Sequence, residues 1–260
     1  MTVVFEKFHG TGNDFILINN KDKKFDPATD VVKLLCDRRF GIGADGLLLL
    51  GNSQEYDFSM RYFNSDGHEG SMCGNGGRCI SAYAYQHFDI NKKIIFKAVD
   101  GIHHAEVILV EKNTAMVRLR MNDVTEVRQS PDYYFLDTGS PHYVAFVRNA
   151  DEINLEKEGR EIRYSSLFAP AGTNVDFVEI RDNDLYVRTY ERGVEEETLS
   201  CGTGVTAAAI AASCFMIGTT YNIQTKGGNL KVSFTKNENT YKDIWLEGPV
   251  THVFSGQIEI

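Results

Sequence analysis

An internal repeat limits the folds open to this chain. Two segments, Met72-Cys73-Gly74-Asn75-Gly76 and Ser200-Cys201-Gly202-Thr203-Gly204, share a Cys-Gly-x-Gly pattern at a displacement of 128 positions. Four further pairs of segments keep the same order at displacements of 127 to 129, and these are Thr11–Phe15 with Thr138–His142, Gly43–Asp45 with Gly172–Asn174, Met60–Asn64 with Val187–Glu191, and Gly101–Val107 with Gly228–Phe234. The sequence therefore predicts two lobes built to one plan.

Each repeat has the pattern of several short strands around one helix. Residues Phe58–Phe63 and Leu185–Tyr190 alternate in the way that predicts strands. The runs that follow the two Cys-Gly-x-Gly motifs, Gly76–His87 and the alanine-rich Gly204–Ile217, predict helices. Further strands are predicted at Lys93–Lys97, Ala105–Val110, Ala115–Arg120, Thr220–Thr225, Leu230–Phe234 and Asp243–Leu246. We predict an α+β fold of two pseudo-symmetric lobes, each a β-barrel-like sheet wrapped on one central helix.

The composition narrows the class of protein. With 27 basic and 36 acidic residues the net charge is −9, which argues against a nucleic-acid partner. The longest mostly apolar stretch, Val205–Ile217, is shorter than the ~20 residues of a membrane-spanning helix, and Met1–Lys7 lacks the pattern of a secretory signal. Five cysteines, an odd number, indicate reduced thiols rather than a disulfide framework. We expect a cytoplasmic protein with neither a membrane nor a nucleic acid as partner.

Two of the cysteines are placed for chemistry. Cys73 and Cys201 each lie immediately before the predicted helix of their lobe. The first turn of a helix has unpaired N–H groups and partial positive charge, which lower a thiol pKa from the free value of ~8.5. Two such helix ends facing each other can hold one carboxylate and place a sulfur on each face of the adjacent carbon. Inversion of a stereocentre needs this pair of a base and an opposing acid, so we expect the active site in the cleft between the lobes.

Other readings of the cysteines and glycines are weaker. Cys36, Cys79 and Cys214 fit small buried hydrophobic residues, and the spacing of Cys73 from Cys79 is not that of a zinc or redox Cys-x-x-Cys motif. The histidines are scattered, so no metal site is expected. Gly41–Gly46 superficially fits a dinucleotide-binding motif, but its repeat partner at Gly172 lacks the pattern.

The two repeats differ where a strand ends before each cysteine. Asn64 in the first repeat corresponds to Glu191 in the second, so an amide stands opposite a carboxylate. Glu191 can bind a substrate ammonium group, and Arg192 can bind a second carboxylate through two hydrogen bonds. The structural alternatives remain open, namely a turn at Asn64-Ser65-Asp66-Gly67 and a solvated ion pair at Glu191-Arg192.

Taken together, these motifs resemble the diaminopimelate epimerase family of cofactor-independent amino-acid epimerases and racemases. The resemblance runs nearly from end to end, and its motifs are Phe8-His9-Gly10-x-Gly12-Asn13-Asp14-Phe15, Asn64-x-Asp66-Gly67, Met72–Gly76, Pro141-His142, Gly172-Thr173-Asn174-Val175, Tyr190–Gly193 and Cys201–Gly204. It implies inversion of LL-diaminopimelate to the meso form, in lysine and peptidoglycan precursor synthesis, without pyridoxal phosphate or a metal.

The resemblance also assigns roles to residues. Cys73 and Cys201 match the two catalytic thiols. The backbone N–H groups that bind the carboxylate at the reacting carbon are matched by those of Gly74, Asn75, Gly202 and Thr203. The residues that match substrate ligands are Asn13, Asn64, Asn174, Glu191 and Arg192. His142 and Glu191 match residues that tune the cysteines. A last strand after Gly248 is expected to complete the first lobe, which gives residues 1–120 with 249–260 as one lobe and 121–248 as the other.

The chain departs from the family pattern at four positions, of which His68 and Gly70 replace commoner small or acidic residues in the loop after Asn64. Ser140 stands where members often have asparagine, and Gly46 where some have glutamine, which bears on recognition of the distal end of the substrate.

A proline or hydroxyproline racemase of the same fold is the alternative function, and Asn75 in place of a histidine, together with Arg192, argues against it. An amino-acid binding protein would need neither cysteine, and a redox protein would carry its thiols close in sequence. An amino acid is the expected partner, and a homodimer is a candidate assembly.

Overall fold

The computed structural model describes all 260 residues, which divide into two compact units. The first unit is Met1–Leu119 with Gly248–Ile260, and the second is Arg120–Glu247. Each unit combines β-strands with two α-helices, which confirms the predicted α+β class.

The elements follow the repeat. Those of the first unit are β1 (Thr2–Gly10), β2 (Asn13–Asn19), α1 (Thr29–Cys36), β3 (Gly46–Gly51), β4 (Phe58–Asn64), β5 (Glu69–Gly70), α2 (Gly74–His87), β6 (Lys93–Ala98), β7 (Gly101–Glu111) and β8 (Thr114–Arg120). Those of the second are β9 (Val127–Gln129), β10 (Tyr134–Asp137), β11 (Pro141–Phe146), α3 (Leu155–Arg163), β12 (Asn174–Arg181), β13 (Asp184–Tyr190), β14 (Glu197–Thr198), α4 (Gly202–Ala212), β15 (Thr220–Thr225) and β16 (Gly228–Asn237). The long strand β17 (Thr240–Glu259) contributes its first part to the second unit and the rest to the first.

The first unit is a closed eight-stranded barrel around α2. Its strands pair in the order β1-β2-β3-β4-β6-β7-β8-β17, and β17 pairs with β1 to close the ring. Only β2–β3 and β4–β6 are parallel, and each of these pairs is joined by a helix, α1 or α2, because parallel neighbours need a crossover connection. Helix α2 is buried from Asn75 to Ala84 and packs against β1, β2, β3 and β7.

The second unit repeats this plan around α4. Its strands pair in the order β9-β10-β11-β12-β13-β15-β16-β17, and Val124, just before β9, pairs with Tyr241 on β17. The parallel pairs are β11–β12 and β13–β15, which are connected through α3 and α4. Helix α4 is buried on nearly every side, and its alanines combine high helix propensity with the small volume that a barrel interior accepts.

The prediction of one central helix per lobe after each Cys-Gly-x-Gly motif is confirmed. The second helix is shorter than predicted, since it ends at Ala212 instead of Ile217. Beyond Ser213 the chain turns, Phe215 packs on Tyr134 and Phe146, and Gly218 takes a φ of +149°, which a helix cannot continue. The shorter helices α1 and α3 were not predicted.

Candidate functional site

Both candidate cysteines lie at the N-cap of the central helix of their unit. Cys73 precedes α2 with φ −93° and ψ 129°, and Cys201 precedes α4 with φ −113° and ψ 113°. Their carbonyl groups accept the first helical hydrogen bonds, at 2.7 Å from the Gly77 N–H and 3.0 Å from the Val205 N–H. Gly74 and Gly202 are the first residues of these helices, where a backbone N–H group has no acceptor one turn earlier and can bind an anion.

In the first unit, Cys73 lies in a chain of amides. Its Sγ is 3.7 Å from Asn13 Oδ1, and Asn75 Nδ2 donates to the same oxygen at 3.2 Å. The fully buried Arg78 donates to Asn75 Oδ1 at 2.8 Å, and Asn13 Nδ2 donates to Asp45 Oδ2 at 2.8 Å. Because each amide has a donor on one side and an acceptor on the other, the orientation of Asn13 is fixed with its oxygen toward the sulfur.

Asp45 belongs to a network of ion pairs that also includes Lys7, Asp14 and Arg38. Asp14 accepts from Lys7 at 2.7 Å and from Arg38 at 2.8 Å, and Arg38 also reaches Asp45 at 2.7 Å. Burial acts to raise the pKa of Asp14, but the hydrogen bonds and charges of Arg38 and Lys7 outweigh it and hold that pKa far below its usual range. The network keeps Asp45 available as the acceptor for Asn13.

Arg78 is the most deeply buried charge in this half. Burial lowers the pKa of its guanidinium group, while the nearby thiols of Cys79 and Cys73 act in the opposite direction, and its Nε has no hydrogen-bond partner. Electrostatic coupling is reciprocal, so the Arg78 cation favours the thiolate form of Cys73. Cys36 and Cys79 are buried thiols, as predicted, and burial raises the pKa of Cys36 to about 12. The prediction that Cys214 is also buried is wrong, because it lies exposed after the end of α4.

Asn64 lies apart from this amide chain. It is exposed at the end of β4, where its N–H donates to His68 O at 2.9 Å and its carbonyl group accepts from the Gly67 N–H. The turn at Asn64–Gly67 is therefore present, and a role for Asn64 in binding substrate stays a prediction. Gly46 opposite it admits no side chain, since an added Cβ would lie 2.6 Å from both the Phe63 carbonyl oxygen and the Tyr62 ring.

In the second unit, Cys201 begins a buried chain of four hydrogen-bonded side chains. Its Sγ is 3.3 Å from Thr203 Oγ1, which is 2.9 Å from His142 Nε2. His142 Nδ1 is 2.7 Å from Asp176 Oδ2, and both of these side chains are fully buried. Thr189 donates to the other oxygen of Asp176 at 2.7 Å. We refer to Cys201, Thr203, His142 and Asp176 as the Cys201 chain.

The electrostatic surroundings of Cys201 differ from those of Cys73. Burial raises the pKa of the Cys201 thiol well above its usual range, and the carboxylates of Glu191 and Asp176 raise it further. The hydrogen bond between the sulfur and the Thr203 hydroxyl and the hydrogen bond from the Gly204 N–H act in the opposite direction. Cys201 is accordingly a thiol in the surroundings that the structure shows, whereas Cys73 has a buried cation nearby.

Three more of the predicted residues meet beside this chain. Asn174 Nδ2 donates to Ser140 Oγ at 2.8 Å, and Asn174 Oδ1 accepts from the Arg192 N–H at 2.8 Å. The Arg192 guanidinium group donates to Ser140 Oγ at 3.3 Å. Ser140, which departs from the family pattern, thus joins Asn174 to Arg192.

Sequence reasoning missed Arg78, Thr189 and Asp176. The repeat held a signal for Asp176, because the position 128 residues earlier is Leu48, and a change from leucine to aspartate in a buried strand is unusual.

No group of three or more His, Cys, Asp or Glu side chains is arranged to hold a metal ion. No helix in the structure is both long and apolar enough to cross a membrane.

Comparison with known proteins places these residues in a family. The family model described as diaminopimelate epimerase matches residues 5–127 and 134–253. A diaminopimelate epimerase of Flavobacterium psychrophilum is 47% identical over 256 residues, which cover 97% of this chain and 98% of the relative. One from Chlorobaculum tepidum is 41% identical over 264 residues, covering 96% and 99%.

Solved structures share the fold at low identity. A PhzF-family phenazine biosynthesis protein of Bacillus anthracis has a TM-score of 0.80 at 14% identity, with both chains covered completely. A hydroxyproline epimerase of Agrobacterium vitis has a TM-score of 0.69 at 12% identity, covering 99% of this chain and 92% of that one. The predicted fold of two repeated lobes is confirmed by these likenesses.

Proposed function

The chain belongs to the diaminopimelate epimerase family and is an isomerase, and from this premise we propose that it interconverts LL- and meso-2,6-diaminopimelate by inverting one α-carbon. The observation that carries the proposal is the equivalent placement of Cys73 and Cys201, each at the N-cap of the central helix in one of two barrels of the same plan. Relatives that are up to 47% identical over nearly the whole chain are named diaminopimelate epimerase, which supports the proposal.

In the proposed reaction the two sulfurs act on opposite faces of the α-carbon. One cysteine, as thiolate, removes the α-proton, and the other, as thiol, delivers a proton to the opposite face. The backbone N–H groups of Gly74 and Asn75 and those of Gly202 and Thr203 hold the α-carboxylate, where charge builds up as the proton leaves. Donors fixed in place before reaction stabilise that charge without reorganisation. The proposal uses neither pyridoxal phosphate nor a metal.

The remaining predicted residues are proposed to bind substrate or to adjust the thiols. The proposed ligands of the amino and distal carboxylate groups are Asn13, Asn64, Asn174, Glu191 and Arg192. Arg192 suits a carboxylate because its planar guanidinium group can make two parallel hydrogen bonds. His142 and Glu191 are proposed to tune the cysteines, and the contacts of the Cys201 chain support this role for His142.

The proposed setting is the cytoplasm, in lysine biosynthesis, with a homodimer as the proposed assembly. The five cysteines form no disulfide with one another, which suits a reducing compartment. Light scattering at several protein concentrations tests the assembly.

The test of function is a stereochemical assay without added cofactor. LL-diaminopimelate is incubated with the protein and a dithiol, and the isomers are separated by chiral chromatography. We expect the meso isomer to accumulate to equilibrium, with proline left unchanged under the same conditions. Racemisation of proline with no change in diaminopimelate would select the alternative racemase instead.

A further inference from the structure

The second barrel contains a polar chain that the first barrel lacks. The duplication pairs each member of the Cys201 chain with a residue of the first repeat, and the pairs are Cys73 with Cys201, Asn75 with Thr203, Phe15 with His142, and Leu48 with Asp176. Thr189, which donates to Asp176, pairs with Tyr62. Strand register supports the pairing, because Leu48 lies opposite Tyr62 in β3–β4 just as Asp176 lies opposite Thr189 in β12–β13.

The contacts of the central helices with these strands also support the pairing of Leu48 with Asp176. A Cβ placed on Gly76 would lie 3.0 Å from Leu48 Cδ2, and one placed on Gly204 would lie 2.5 Å from Asp176 Oδ1. The same barrel positions are therefore occupied by the apolar side chains of Phe15 and Leu48 in the first unit and by His142 and Asp176 in the second. Phe15 and Leu48 show that the barrel packs with apolar residues at these positions, and burying an imidazole with a carboxylate is costly unless both are fully paired. The fold itself does not require the polar version.

The partners of His142 fix which nitrogen carries the proton. Nδ1 faces the Asp176 carboxylate at 2.7 Å, so Nδ1 is the donor. In a neutral imidazole the other nitrogen, Nε2, is therefore an acceptor. The Thr203 hydroxyl then donates to Nε2 and accepts from the Cys201 thiol. Every hydrogen bond in the chain runs from the sulfur toward the imidazole.

We propose that Asp176 and the Thr203 hydroxyl are positioning residues that make His142 the acceptor of the Cys201 proton. The inference rests on the proposed function, in which Cys201 must act as a base in one direction of the reaction. The S–H bond of Cys201 breaks and its proton passes to Thr203 Oγ1, while the hydroxyl proton of Thr203 passes to His142 Nε2. A thiol and a neutral imidazole become a thiolate and an imidazolium, and Asp176 remains ionised throughout.

The charges around Cys201 explain why such an acceptor is needed. Burial and the two nearby carboxylates, Glu191 beyond β13 and Asp176 on β12, all oppose the thiolate. The α4 N-terminus and the Gly204 N–H favour it. When His142 takes the proton, the resulting cation lies two hydrogen bonds from the sulfur and partly offsets those carboxylates. In the first unit the cation near the thiol is Arg78, whose guanidinium group stays protonated even though burial lowers its pKa.

The test follows the reactivity of Cys201 alone, in a Cys73→Ala background. Iodoacetamide reacts with the thiolate, and mass spectrometry of the peptide containing Cys201 gives its alkylation rate across pH. Asp176→Asn keeps the shape and removes the charge, and Thr203→Val removes only the hydroxyl. We expect Thr203→Val to move the midpoint of the pH profile up by about one unit, or about tenfold in rate below it, with the same plateau at high pH. In Asp176→Asn, loss of the partner of the imidazolium raises the midpoint and loss of a carboxylate that opposes the thiolate lowers it. We expect the upward effect to be larger, because Asp176 contacts His142 directly and the sulfur only through His142 and Thr203.

Matched controls separate this effect from a loss of packing. Thr203→Ser restores the hydroxyl and should restore the profile. Thr206→Val, one turn further along α4, removes a buried hydroxyl that bonds only Gly202 O in its own helix, and should leave the profile unchanged. Glu179→Gln removes a charge from β12 away from His142 and should also leave it unchanged.

The outcomes are distinct. A change in access to the sulfur would scale the rate equally at every pH, whereas loss of the proton acceptor moves the midpoint. Unchanged midpoints in Thr203→Val and Asp176→Asn overturn the relay, as does a pH-independent scaling. If Asp176→Asn fails to fold, the comparison of Thr203→Val with Thr203→Ser decides alone. The proposed function fails separately, if the Cys73→Ala protein still epimerises diaminopimelate.

Discussion

The close approach of Asp176 to α4 makes Gly204 a sharp test of the structure. In Gly204→Ala the new Cβ would lie 2.5 Å from Asp176 Oδ1 and 3.1 Å from Thr189 Oγ1. Asp176 cannot yield easily, because Thr189 holds it at 2.7 Å and His142 holds its other oxygen at 2.7 Å. Alanine gains about 1 kcal/mol over glycine inside a helix. Losing a hydrogen bond to a buried carboxylate costs about 1.5–3 kcal/mol, so we expect a net loss of about 0.5–2 kcal/mol.

Gly76→Ala is the matched control in the other repeat. Its Cβ would lie 3.0 Å from Leu48 Cδ2 and 3.5 Å from Met60 Cε, both ends of flexible side chains, and at an ordinary contact distance of 3.6 Å from Cys73 Cβ. We expect its stability to stay within about 1 kcal/mol of the parent, since the helix propensity gain offsets the crowding. Urea unfolding gives both free energies, provided that the denaturant dependence is the same in the two variants. A Gly204→Ala protein at least as stable as Gly76→Ala would refute the reasoning.

Three further outcomes are expected. Arg192→Lys should lower kcat/KM on diaminopimelate by about 2 kcal/mol or more in transition-state free energy, because lysine cannot make two parallel hydrogen bonds to a carboxylate; steady-state kinetics check this, and an unchanged value would leave Arg192 as a surface residue. Mild oxidation should abolish activity and a dithiol should restore it, because the proposed geometry lets Cys73 and Cys201 form a bridge in the empty site; full activity in protein without free thiols at both positions contradicts that geometry. Arg78→Met should slow alkylation of Cys73 at neutral pH in a Cys201→Ala background, because the buried cation is gone, and an unchanged rate measured by peptide mass spectrometry argues against the coupling.

The repeat and the helix that follows each cysteine could be predicted because their signals are local. Glycines after Cys73 and Cys201 and a run of alanines in α4 predict helices without reference to the rest of the chain. The early end of α4 at Ala212 could not be predicted in this way, because the apolar run continues to Ile217 and only the packing of Phe215 on aromatic rings shows the turn.

Helices α1 and α3 illustrate a weaker signal. Helix α3 begins after Asn154, whose side chain accepts from the Lys157 N–H, and this N-cap was readable in the sequence. Both helices have only 8 or 9 residues, so that their periodicity is short, and their formation depends on packing against the barrels.

The hydrogen-bonded connections within the candidate site could not be predicted from individual residues of the sequence. His142 and Thr203 were identified by resemblance, yet their connection through hydrogen bonds depends on three strands and a helix meeting in the fold. Asp176 escaped notice because an aspartate among apolar residues of a strand carries no motif. Its meaning emerges only beside Leu48, the equivalent position of the other repeat.

The most direct test of a two-base inversion is the fate of hydrogen in heavy water. If Cys73 and Cys201 act from opposite faces, the thiol on the product side has exchanged with solvent, and the abstracting thiolate keeps the proton of the substrate. Early in the reaction from LL-diaminopimelate, we therefore expect deuterium at the inverted carbon of the meso product and hydrogen in the recovered substrate. Cys73→Ala and Cys201→Ala should each abolish inversion. Early deuterium in recovered substrate, or original hydrogen carried into product, would contradict the two-base account.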